Sequence, residues 1–170
     1  MKRPDYTTSP EYFHYYFDLS FGQTDLLEAL KTNCEGIVQF FQSIPEDKWH
    51  YRYAEDKWTI AEVLMHLIET ERVFAYRALA FSRFDETDLP GYDENKYIDN
   101  AAMINRSYPT LLTEFISLRT ATFLMYSGFT EEMLDFKGKA NNYSTTAKGL
   151  GWFLIGHTMH HVKIVNERYF

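Results

Sequence analysis

Apolar residues recur at helical spacing through almost the whole of this chain, and that period leaves few alternatives to a helical protein. Leu26, Leu27, Leu30, Cys34, Ile37, Val38 and Phe41 step along one face, predicting a first long helix over residues 24–43 that Pro45 ends. Thr59-Ile60-Ala61-Glu62 is a capping box, in which hydroxyl and carboxylate satisfy each other's orphan backbone amides. It opens a second helix to about residue 84. A third, over residues 107–128, has Pro109 in its first turn, Leu111, Leu112, Phe115, Leu118, Thr122 and Met125 on its buried stripe, and Gly128 at its end. A short helical turn follows near residues 130–134. Ser144 or Thr145 then caps a last helix running to about Arg168. The connection over residues 85–106 is too long for a simple turn and has room for a helical turn around residues 94–98. Four such helices with one long connection between the second and third make an all-α four-helix bundle. The polar, aromatic residues 1–21 read as an N-terminal extension of a single domain spanning 1–170.

A length of 170 residues suits one hydrophobic core and is short for two ordinary domains. The net charge of −7 leaves no basic stripe for a phosphate backbone, so nucleic acid is not an expected partner. The longest uncharged stretch, residues 149–162, is too short for a bilayer span and carries three histidines, so no membrane partner is expected. The first residues turn polar at once, without the apolar run of a secretory signal. The single cysteine, Cys34, excludes an internal disulfide framework. Together these features predict a cytoplasmic protein. Cys34 sits on a helix face with no obvious basic neighbour and reads as an inert buried thiol. Gly149, Gly151 and Gly156 weaken the last helix by up to about 1 kcal/mol each, a loss that suits close helix packing or the seam of a homodimer.

His157 and His161 lie four apart, on one face of the last helix, at the spacing that lets two imidazoles bind one transition metal. The same pair is as much at home in an ordinary core. His160 is offset around the helix and is the weakest co-ligand of the three. His66 lies among Leu64, Met65, Leu67 and Ile68, where a lone histidine is usually a core residue; a bundle, however, brings inward faces together. Three histidines with open positions are the pattern of a catalytic metal site. Thr158 stands where a zinc protease carries its glutamate base, and the paired Glu-x-x-His units of a di-iron bundle are missing. Glu69 and Glu71 follow His66 within about a turn and a half. Either is a candidate base or orienting partner, and either is equally a surface glutamate near Arg72.

Several segments resemble the DinB-like (DinB/YfiT) superfamily of metal-dependent enzymes. They are Pro45-Glu46-Asp47-Lys48-Trp49; Lys57-Trp58-Thr59-Ile60-Ala61-Glu62-Val63-Leu64-Met65-His66-Leu67-Ile68-Glu69-Thr70-Glu71-Arg72; Leu89-Pro90-Gly91-Tyr92-Asp93; and Gly156-His157-Thr158-Met159-His160-His161. The resemblance implies an up-down-down-up bundle, often a homodimer, and a divalent transition metal (Zn, Ni or Fe) held by His66, His157 and His161. Many relatives carry glutamate where Thr158 stands. Characterised relatives use small thiols such as bacillithiol or mycothiol. The expected function is therefore activation of a low-molecular-weight thiol for S-transfer, or of a water for hydrolysis of a small-molecule substrate. The alternative is a non-catalytic, metal-binding or stress-related homodimer whose histidines tie helices together.

Overall fold

In a computed structural model, residues 1–2, 5–101 and 103–170 are described; Arg3, Pro4 and Ala102, which fall in the expected extension and connection, lie outside them. The helices are α1 (Glu11–Leu19), α2 (Leu26–Gln42), α3 (Ile60–Ser82), α4 (Glu94–Asn100), α5 (Tyr108–Ser127), α6 (Glu131–Asp135) and α7 (Ala147–Arg168). The strands are β1 (Asp88–Leu89), β2 (Lys137–Ala140) and β3 (Tyr143–Thr146). The expected four-helix bundle is present as α2, α3, α5 and α7. α2 and α3 lie on opposite corners, each flanked by α5 and α7.

The core falls into two apolar clusters, one toward each end of the bundle. The first takes Leu26 and Leu30 from early α2, Phe74 and Phe81 from late α3, Tyr126 from late α5 and Leu150 from early α7. The second takes Ile37 and Phe41 from late α2, Ile60 and Leu64 from early α3, Leu111 and Phe115 from early α5 and Val165 from late α7. So α3 and α5 run together, opposite to α2 and α7, which is the up-down-down-up order.

Between the clusters lies a buried polar chain with one member from each bundle helix. Thr158 Oγ1 on α7 is 2.9 Å from Asn33 Oδ1 on α2, which also accepts from Arg119 Nη1 on α5 at 2.8 Å. Arg119 Nε donates to both oxygens of Glu71 on α3, at 2.9 and 3.0 Å. Buried charges occur when paired and hydrogen-bonded, and here each charge has the other.

The capping box at the start of α3 is formed: Glu62 N donates to Thr59 Oγ1 at 3.2 Å and Thr59 N to Glu62 Oε2 at 2.6 Å. Two expected helix starts move. Asp25, whose carboxylate accepts from the amides of Leu27 and Glu28, caps α2. Thr146, and neither Ser144 nor Thr145, caps α7, because residues 143–146 are engaged as a strand. The small sheet, in order β1-β2-β3, was not expected from the helical period. Its hairpin turns through Asn141 and Asn142, both at positive φ, as a two-residue mirror-image turn requires. Parallel pairing of β1 with β2, plus Asn141 N donating to the Leu89 carbonyl at 2.8 Å, folds the long connection back over the bundle.

The N-terminal residues are not a loose extension. α1 packs along α7, and Phe13 and Phe17 are buried in the first cluster. Gly156 makes this possible, since a Cβ there would collide with the backbone carbonyl of Tyr16 on α1. The glycines of α7 thus serve contacts inside the chain, Gly151 meeting Leu26 and Tyr126 and Gly149 meeting Ser9 and Thr145, so they are no sign of a dimer seam. Gly156→Ala is expected to cost about 1–3 kcal/mol, because the obstacle is backbone and has no rotamer to yield. Gly36→Ala on α2, where nothing lies near a new Cβ, is expected to gain up to about 1 kcal/mol. Urea midpoints of the two variants check both signs.

Candidate metal centre

α3 presents His66 and α7 presents His157 and His161 to the same point between the helices. The period places 157 and 161 on one face of α7; the fold adds that His66 stands at the matching height of α3, the set of three that the family resemblance implies. His157 Nε2 is 3.1 Å from His66 Nε2 and 3.1 Å from His161 Nε2. One ring nitrogen from each lies within 4.8 Å of the others, close enough to share one ion. Nitrogens bound tetrahedrally to a cation at zinc-like distances lie about 3.3 Å apart, so the three imidazoles fit such an ion with little movement. Glutamates take no part in the cluster.

The rings are held by their neighbours. Trp58 packs on His66 with ring centroids 4.7 Å apart, and Phe153 stacks on His157 at 5.4 Å. Tyr16 meets His157 edge-on. Thr70 Oγ1 lies 3.5 Å from His66 Nδ1 and 2.7 Å from Tyr92 Oη. Burial, with some help from His160, lowers the His66 pKa to about 4. Burial together with the neighbouring histidines also holds His157 and His161 well below the ordinary value. All three are therefore neutral near pH 7, the form that binds a metal.

A pH dependence of stability follows. Below about pH 6.5 the unfolded chain binds protons that the folded, metal-free chain refuses, so stability falls as pH drops toward 4, by about 1.4 kcal/mol per pH unit for each such histidine. Urea titrations of metal-free protein between pH 7 and 5 should show this loss, and His66→Gln should flatten the profile.

A cavity of about 340 Å³ opens on the three histidines, walled by Tyr12, Tyr16, Thr70, Phe74, Arg77, Tyr92 and Phe153 among others. A larger cavity, about 540 Å³, lies between α2 and α7 and contains no histidine. His160 lines the histidine cavity too, with its Nδ1 3.1 Å from Tyr15 Oη, outside the cluster itself.

The two glutamates do not meet the expectation of a base or an orienting partner. Glu71 is fully buried and turned to Arg119, on the bundle side of α3. Glu69 is absent from the cavity wall; burial raises its carboxyl pKa, and Arg106 and Arg72 oppose that rise. One residue of helix phase decides this: Thr70, at i+4 from His66, takes the position the glutamates flank. Thr158 is likewise spent on Asn33 and not on a histidine. Cys34 is half-buried, and its burial raises the thiol pKa, although Arg119 lies near enough to oppose that. Sequence reasoning missed Thr70, Phe74 and Arg77, which continue the face of His66 at i+4, i+8 and i+11, and Phe153, one turn before His157. That spacing was the signal available.

Comparison with known proteins bears on the fold and the family. A search of curated proteins gives no match. Among solved structures the chain is similar to YfiT from Bacillus subtilis, described as a probable metal-dependent hydrolase with an unusual four-helix bundle topology. The TM-score is 0.70 at 15% identity, covering 84% of this chain and 82% of that one. At that identity the likeness concerns the fold. The profile of the DinB superfamily matches residues 29–165, a span that holds all three histidines, and this chain belongs to the DinB superfamily.

Proposed function

We propose that the protein is a metal-dependent enzyme in which His66, His157 and His161 hold one divalent transition metal, Zn, Ni or Fe, beside a small-molecule substrate. The observation that carries this is the convergence of three neutral imidazoles on the wall of an open cavity, where a purely structural site would be closed. A cation held there supplies Lewis acidity, making a low-molecular-weight thiol or a water nucleophilic near neutral pH. The chain's part is positional. Phe153 and Trp58 clamp two of the rings and keep water from their flanks, Thr70 restrains His66, and Tyr92 is tethered to Thr70 at the cavity wall. The DinB resemblance supports thiol transfer, and the likeness in fold to YfiT supports hydrolysis. Cys34 lies outside the cavity, so a thiol substrate arrives as a small molecule.

The test incubates metal-loaded protein with bacillithiol and an alkylating electrophile, and separately with ester and amide panels. Turnover above a His66→Ala control in one arm is expected and names the nucleophile. No turnover in any arm, with metal bound, leaves a structural metal site and overturns the proposal. The protein is further proposed to act as a cytoplasmic homodimer, a reading supported by Tyr76, Leu79, Ile116 and Leu124, which are apolar and exposed on α3 and α5. Sedimentation should give twice the 20.2 kDa chain mass.

A further inference from the structure

We infer that the histidine cavity takes a substrate bearing an oxyanion, a carboxylate or phosphate group, and that Arg77 is the residue that selects it. This rests on the proposed reading of the cavity as the substrate site.

Two arginines are buried in this bundle, Arg119 at 2% exposure and Arg77 at 6%. Arg119 has Glu71 as its counter-ion. Arg77 has no carboxylate within ion-pair distance among the described residues. Its one hydrogen bond is from Nη2 to the Pro90 carbonyl at 2.8 Å, and its guanidinium sits 5.1 Å from the Phe74 ring centroid. None of its nitrogens is both sealed from solvent and without a partner, and Arg77 lines the cavity, so the donors not spent on Pro90 remain open to a ligand. Glu94, exposed at the start of α4, is the other lining residue that is charged at neutral pH, and it lies beyond ion-pair distance of Arg77. A buried cation without a counter-ion is costly, and a guanidinium is a rigid fork of donors matched to carboxylate and phosphate. The missing partner belongs to the ligand.

The surroundings suit that ligand. Tyr12 stands near Arg77, and burial pushes its phenol up to about 12, so it remains a hydrogen-bond donor. Along α3, Arg77 is eleven residues beyond His66 on the same face, about 16 Å of helix rise. Long side chains on a helix lean back toward its N-terminus, so the guanidinium is drawn toward the histidines. The cavity then has two ends, a histidine end for the reacting group and an Arg77 end for the anion. Since His66 leans the same way, the two ends stay roughly 10 Å or more apart, and an elongated molecule with its anion at one end and its reacting group at the other reaches both.

The test titrates succinate and, separately, inorganic phosphate into zinc-loaded and metal-free full-length protein, with chloride at equal ionic strength as reference. Binding is read from the Arg77 Nε–Hε resonance and from the thermal midpoint. A saturable response in the metal-free protein is expected with at least one anion, and the arm that responds names the anion. Arg77→Gln should weaken that binding about ten- to a hundredfold, while Arg77→Lys keeps a charge and loses less. His66→Ala should leave it intact, so a failed metal site and a failed anion site give different results. No response of the wild-type Arg77 resonance to either anion overturns the proposal, as does equal affinity in Arg77→Gln. If that variant does not fold, the wild-type resonance and Arg77→Lys decide the question.

Discussion

Substitution of His157 by alanine is expected to reduce bound transition metal from about one equivalent per chain to background. His157 is the central member of the cluster, its Nε2 3.1 Å from the Nε2 of each of the other two, and its removal leaves two candidate donors on separate helices. Loss of an outer-shell partner alone typically costs about 10- to 100-fold in metal affinity, so loss of the central ligand should exceed that range. The thermal consequence is separate and also measurable. A metal present at about a thousand times its dissociation constant stabilises the folded chain by about 4 kcal/mol, or about 8–16 °C in midpoint for a protein of this size. That increment should vanish in His157→Ala. His160→Ala should keep it, since His160 stands outside the cluster. Elemental analysis of tag-free protein and melting with and without chelator check both statements. Equal metal content in His157→Ala and wild type would remove the histidine cluster from consideration.

Glu71→Ala is expected to be the most damaging single change to the fold itself. It leaves the Arg119 guanidinium buried without its carboxylate, a loss of about 3–5 kcal/mol and about 6–20 °C in midpoint. That is a large fraction of the 5–15 kcal/mol or so that holds a typical domain together. The double variant Glu71→Ala/Arg119→Met should recover part of it, because the penalty lies mostly in the stranded charge. Metal content per folded chain should stay at the wild-type level in both variants. A folded, stable Glu71→Ala protein that has lost metal or activity would instead restore the glutamate to the site, the role its nearness to His66 in sequence suggests. Urea unfolding of the two variants, with metal analysis alongside, separates these outcomes.

Much of this was legible in the sequence because helices record their inward faces at a fixed period. The four bundle helices and the Thr59 cap follow from spacing and from the need of a bundle to bury its stripes together, while the meeting of His66 with His157 and His161 was open to spacing and implied by the family resemblance. The roles of Glu69 and Glu71 were not legible. Neighbours on a helix differ by about 100° in direction, and only the packed structure shows that Thr70 faces the cavity while Glu71 faces Arg119. Arg119 gave no warning of its own, since an arginine in an amphipathic pattern reads as a surface residue until a carboxylate is found beside it. The hairpin left a weak trace in the pair Asn141-Asn142, suited to positive φ, yet its strands are four residues each and too short to show alternation. α1 was obscured by its tyrosines, whose hydroxyls look polar while their rings pack on α7.

The chain Thr158–Asn33–Arg119–Glu71 acts as an alignment key for the bundle. Apolar stripes are permissive, and two of them can slide by a turn or exchange partners with little loss of contact. A single buried cation that needs one carboxylate and one amide at one height permits no such slip, because any other registry strands Arg119 in oil. Thr158 is the residue next to His157, so its bond to Asn33, the end of the key that does not involve Glu71, also sets the height and rotation of α7 beside the histidines. One end of the device indexes chain assembly and the other indexes α7. Variants that reshape the apolar halves on either side should drift in stability long before the three imidazoles lose their common point.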